Sequence, residues 1–169
     1  SKDALAKTQK GSWEYDVMFP GYKCNMTDIA AAMGLSQLKK YDALLARRKE
    51  IIKKYDSILA PLGITGLNHY TNEHVSSGHL YICRVPNIGL DDRSEIINKM
   101  EDEGVSCNVH YKPLPMLTAY KDMGFKINDY TNAFENFKNE ITLPLHTRLT
   151  DDEVDYVATT FAKIVKNYI

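Results

Sequence analysis

No apolar run in these 169 residues reaches the roughly 18 that a membrane-spanning helix needs. The opening Ser1-Lys2-Asp3 carries no apolar leader. It also carries no methionine, and a processed or excised piece is expected. Charge of one sign is missing too: 21 Lys and Arg against 22 Asp and Glu leave a formal net charge of −1. No overall field then gathers nucleic acid or an anionic membrane, and neither is expected as a partner. Cysteine is scarce. Cys24, Cys83 and Cys107 are odd in number and form no CxxC, which argues against a disulfide framework and for a reducing cytoplasm. Each is expected to be a buried small hydrophobe. Gly-rich phosphate loops and the GxSxG elbow are absent, which removes the common dinucleotide, P-loop and serine-hydrolase readings. His69, His74 and His79 recur every five residues, which fits neither the helical nor the strand spacing of metal ligands, so no metal site is expected.

What is present is an ordinary globular balance, 44% hydrophobic and 25% charged, in a length that suits one domain. Residues 1–20 show no sustained period and read as an extended or loosely helical lead-in. From Thr27 a helical pattern runs through Leu38, Tyr41, Leu45, Ile52, Tyr55, Leu59 and Leu62, and ends at Pro61 and Gly63. It is one long helix or two broken near residues 41–44. Ala30, Ala31, Ala32 and Gly34 leave room for close packing against another backbone. The outer face, with Lys39, Lys40, Arg47, Lys49, Lys53 and Lys54, has no interleaved aromatics. It is expected to be solvated, with RNA binding as the sharper alternative.

Strands are expected weakly over 64–68 and strongly over His79–Val85. Asp91 is expected to cap a helix that stops at Gly104. Val105–Tyr111 alternates strictly, with Ser106, Asn108 and His110 on its polar side. That side is either a ligand wall leading to Tyr111 and Lys112 or simply a solvent-facing edge. Short helices are expected near 117–123 and 131–139, with an extended stretch at 143–145. A last helix opens on the capping box Thr150–Glu153. The paired carboxylates Asp91-Asp92 and Asp151-Asp152 sit at helix starts, where they serve the dipole rather than acid–base chemistry. The fold class is α/β (α+β): a long N-terminal helix and further helices on a small, mostly antiparallel sheet.

Four stretches together carry a resemblance. Gly21-Tyr-Lys-Cys-Asn-Met-Thr-Asp-Ile29 precedes an Ala-rich helix, Gln37-Leu38 and Arg47-Arg48. His79-Leu-Tyr-Ile-Cys-Arg-Val85, Gly104-Val-Ser-Cys-Asn-Val-His-Tyr-Lys-Pro-Leu114 and Leu143-Pro-Leu-His146 follow in order. This resembles the C-terminal domain of the DegT/StrS-type sugar aminotransferases, pyridoxal-phosphate enzymes of the aspartate aminotransferase fold, from about Trp13 to the end.

The resemblance implies a lead-in, 1–20, from a preceding large domain, and an aminotransferase C-terminal domain over 21–169. It implies that the lysine attaching the cofactor lies in that large domain. Lys23, in Phe19-Pro-Gly-Tyr-Lys23, lies outside the family's lysine context and is not assigned as catalytic. No catalytic residue is expected within these residues, and the piece alone should be inactive. Asn25 is implied as a donor to the phosphate of pyridoxal 5'-phosphate held by the neighbouring subunit of a homodimer. His110, Tyr111, Lys112 and His79 are implied near the substrate; His79 and Tyr81 line the pocket or merely pack. The implied reaction moves an amino group, from glutamate, to a nucleotide-linked keto sugar for surface-polysaccharide precursors. Cys24 departs from the aromatic expected at its position. A non-catalytic oligomerisation or binding module on the same fold is the alternative.

Overall fold

The computed structural model describes residues 5–7, 15–22 and 24–169. Lys23 lies outside them. Contacts divide the chain into two units, Ser1–Lys40 and Tyr41–Ile169.

In the first unit, β1 (Leu5–Lys7) pairs antiparallel with β2 (Tyr15–Val17), with Ala6 opposite Asp16. The lead-in is therefore partly a two-stranded ladder, a long-range pairing that leaves no local period to read. Helix α1 (Asp28–Leu38) starts where the Thr27 hydroxyl accepts the Ala30 N–H at 3.3 Å, as expected of a cap. No residue of α1 is buried. Among the described residues nothing lies within 4 Å of a Cβ built on Gly34, so none of them packs closely against that position.

In the second unit, α2 (Tyr41–Leu59) begins after a turn at Lys39-Lys40. The periodic pattern is thus two helices, interrupted slightly earlier than the sequence suggests. Ile51, Ile52, Tyr55 and Leu59 are buried. A 3-10 turn over Ala60–Leu62 and Gly63, in the left-handed region at φ 74°, end the helix. The sheet has the order β3 (Thr65–Gly66), β4 (Tyr81–Arg84), β5 (Glu140–Leu143), all antiparallel. Tyr81 faces Leu143 and Arg84 faces Glu140 in register. Because side chains alternate along a strand, Tyr81, Cys83, Ile141 and Leu143 enter the core while Ile82, Arg84, Glu140 and Thr142 share the opposite face.

Helix α3 (Leu90–Asp102) is followed by two shorter helices, α4 (Thr118–Asp122) and α5 (Thr131–Lys138). The cap of α3 is Gly89 rather than Asp91, and the Asp92 carboxylate accepts the Gly89 N–H at 3.0 Å. Helix α6 (Asp151–Val165) opens on the expected capping box, with Thr150 and Glu153 bonded reciprocally. Its buried stripe includes Val154, Val157, Ala158, Phe161 and Val165. Lys54–Asp155 (2.6 Å) and Arg47–Asp151 (2.7 Å) tie α2 to α6 at the rim of the core.

The expected strand over 105–111 is corrected. Only Asn108 pairs, exchanging two backbone hydrogen bonds with Thr142. Beyond it, side chains take the place of a ladder. The Asn108 amide oxygen accepts the Val109 N–H at 2.7 Å, and the Glu140 carboxylate accepts that of His110 at 3.1 Å. Tyr111, on the same side of that alternation as Val105, is 74% exposed.

Burial of cysteine holds in full for only one of the three. Cys83 is buried, Cys107 is half-buried and Cys24 is exposed. Burial pushes the Cys83 thiol well above its usual range and that of Cys107 up to about 12. We therefore expect a disulfide-exchange reagent to modify one thiol rapidly in the native chain, against three in denaturant, and Cys24→Ser to abolish the rapid phase. Rapid modification of all three would contradict the burial.

Candidate functional site

The turn Gly21–Thr27 presents the first set of expected residues. Thr27 is extended (φ −72°, ψ 154°) and Asp28 occupies the first turn of α1. Between them they meet the local needs of the helix start: one side-chain acceptor and one carboxylate at the positive end of the dipole. Asn25 is not used by this arrangement. It is exposed, and among the described residues its amide has no hydrogen-bond partner.

In the second unit, a cavity of about 330 Å³ lies on the sheet face opposite the core. Ile82, Arg84 and Glu140 floor it; Gly66 and Leu67, His110 and Tyr111, and Asn136 and Phe137 form walls. His110 and Tyr111 stand edge to face, 4.6 Å apart between ring centroids, and the peptide bond joining them is cis. Arg84 holds its place through Nε, which donates to the Asn139 side-chain oxygen at 3.2 Å. Buried Arg93 on α3 donates to the Phe137 carbonyl and lies over the Phe137 ring, 4.4 Å from its centroid, which fixes the end of α5. Burial pulls Arg93 below the usual guanidinium range, opposed by the charge of Glu140.

Glu140 is 5% exposed and Thr142 4%. One Glu140 oxygen accepts the Thr142 hydroxyl at 2.7 Å, and the other accepts the His110 N–H. The His110 Nδ1 is 2.9 Å from the same hydroxyl. So the structure brings His110 and Tyr111 together at one cavity. Lys112 and His79 are exposed and do not line it. Tyr81 packs in the core, its hydroxyl donating to Asp56 at 2.8 Å, and burial followed by that bond raises the phenol above its usual range.

Sequence reasoning missed Glu140, Thr142 and Arg84. The available signal was the alternation Glu140-Ile-Thr-Leu143, two polar residues set between apolar ones. A second, larger cleft of about 660 Å³, lined by Ser106, His146, Asp152 and Tyr156 among others, contains none of the expected site residues. Among the described residues no cluster of three His, Cys, Asp or Glu could hold a metal ion, and no helix is long and apolar enough to cross a membrane.

The arrangement has relatives. The chain is 38% identical over 165 residues to the spore coat polysaccharide biosynthesis protein SpsC of Bacillus subtilis, covering 94% of this chain and 42% of SpsC. Among solved structures it is similar to "Putative sugar aminotransferase Spr1654 from Streptococcus pneumoniae, PLP-form", with a TM-score of 0.82 and 50% identity, covering 100% of this chain and 42% of that one. It is also similar to Helicobacter pylori PseC, an aminotransferase involved in the biosynthesis of pseudoaminic acid, with a TM-score of 0.71 and 27% identity over 98% of this chain and 44% of that one. The chain thus spans less than half the length of these relatives. Residues 2–162 match the profile of one family along nearly the whole chain, and the protein belongs to the DegT/DnrJ/EryC1/StrS aminotransferase family.

Proposed function

We propose that these residues are the C-terminal part of a pyridoxal-phosphate-dependent sugar aminotransferase. Residues 1–20 continue a preceding large domain and 21–169 form the C-terminal one. The intact protein works in the cytoplasm as a homodimer, and the lysine that attaches the cofactor lies outside these residues, so they do not transaminate alone. The observation that carries this is Asn25: an exposed amide just ahead of α1, with no hydrogen-bond partner among the described residues, in a chain that matches the family over residues 2–162.

That turn suits a phosphate. An uncharged amide donor stands three residues before a helix whose first N–H groups and dipole favour an anion. Pyridoxal phosphate, when bound, supplies the electron sink for moving an amino group between carbons. Asn25 holds the phosphate end of that cofactor for the partner subunit. His110 and Tyr111 orient the sugar, and Lys112, exposed beside them, offers a cation to a nucleotide phosphate. His79, exposed just before β4, is not required. Met26, ahead of α1, and Ile29, Met33 and Leu35 on it are all exposed, and the rest of the assembly covers them.

The test is isotopic. The intact protein, given pyridoxal phosphate, ¹⁵N-glutamate and a panel of nucleotide-linked keto sugars, should release a nucleotide-linked amino sugar carrying ¹⁵N. Transfer to no sugar on the panel, with the cofactor bound, would favour the non-catalytic module.

A further inference from the structure

Glu140, on the cavity floor, and Thr142 beside it are almost wholly buried polar side chains directed at one histidine. A threonine hydroxyl has one proton to give and a carboxylate only accepts. At 2.7 Å from Glu140, the Thr142 hydroxyl donates its one hydrogen bond to the carboxylate. It then faces His110 Nδ1, 2.9 Å away, with only lone pairs. Nδ1 must be the donor. The other Glu140 oxygen accepts the His110 backbone N–H, so the same carboxylate fixes both the main chain and the ring. His110 Nε2 has no partner among the described residues, and it is not one of the buried unsatisfied atoms.

We infer that Glu140 and Thr142 are positioning residues that lock His110 in the Nδ1–H tautomer and present Nε2 to the cavity as a hydrogen-bond acceptor. The tautomer follows from this chain's geometry alone; its use rests on the function proposed above. An acceptor at that wall selects a ligand group that donates, such as a sugar hydroxyl, and disfavours an anion there. Arg84 is the cation on the cavity floor, and Lys112 lies outside the cavity wall.

The experiment is ¹⁵N–¹H correlation of the histidine side chains in this chain with the ring neutral, assigned by His110→Gln. His110 should show a protonated Nδ1 and an imine-type Nε2. Thr142→Ser should retain that pattern. Thr142→Val, which keeps the shape and removes the hydroxyl, should move the population toward Nε2–H. A wild-type His110 protonated at Nε2, or a Val variant with an unchanged tautomer, overturns the inference. The readout involves no cofactor or substrate. Failure of the tautomer with intact ¹⁵N transfer would sink only the positioning role, whereas loss of transfer with the tautomer present would sink only the function.

Discussion

Phe161→Ala is expected to destabilise the second unit by about 3–5 kcal/mol, the range for truncating a buried aromatic. Phe161 is 0% exposed on α6, in the same buried cluster as Tyr55, Tyr81, Ile96 and Ile141. Elements far apart in sequence meet there, so the resulting cavity has no single flexible neighbour to fill it. Domains of this size hold roughly 5–15 kcal/mol in total, so the loss is a large share. In urea the midpoint should fall sharply with the slope nearly unchanged, because the surface exposed on unfolding is nearly the same. Thr159→Ala, on the exposed side of the same helix, is the control and should stay within about 0.5 kcal/mol. A Phe161→Ala loss below about 1 kcal/mol would contradict the packing described.

Asn25→Ala in the intact protein is expected to weaken pyridoxal phosphate binding about 10- to 100-fold, with the fold unchanged. A hydrogen bond to a charged acceptor is worth about 1.5–3 kcal/mol, and each 1.4 kcal/mol is tenfold. Because Thr27, not Asn25, caps α1, helix content should be unaffected. Asn25→Asp should be worse than Ala, since it sets a carboxylate against the phosphate. The measurement is a cofactor titration followed by its own absorbance. Affinity within twofold of wild type for both variants would remove Asn25 from the cofactor site.

The parts of the fold legible in the sequence are those governed by near neighbours. The α6 capping box, its stripe through Phe161, the α2 stripe at Ile52, Tyr55 and Leu59, and the stop at Gly63 all depend on residues within four positions. Reading failed where a distant side chain replaced the backbone. Alternation over 105–111 promises a ladder, but Glu140, thirty positions on, takes the His110 N–H and ends it. The α3 cap was misplaced because its residue is Gly89, which has no side chain to signal a cap. At the candidate sites, Asn25 stood out because the helix start beside it was already satisfied. His110 stood out on the polar side of its strand-like run. The residues that fix the His110 ring, Glu140 and Thr142, gave only a four-residue alternation, and what they hold depends on a register that periodicity does not encode.

The central claim is that Asn25 serves a cofactor anchored by the partner subunit. Mixing two crippled versions of the intact protein tests it: Asn25→Asp, and a variant in which the cofactor-attaching lysine of the large domain is replaced by alanine. In a mixed dimer, one site combines the lysine of the first with Asn25 of the second. Recovery of ¹⁵N transfer from glutamate well above the sum of the separate variants is the expected result. A mixture that exchanges subunits yet is no more active than that sum would contradict it.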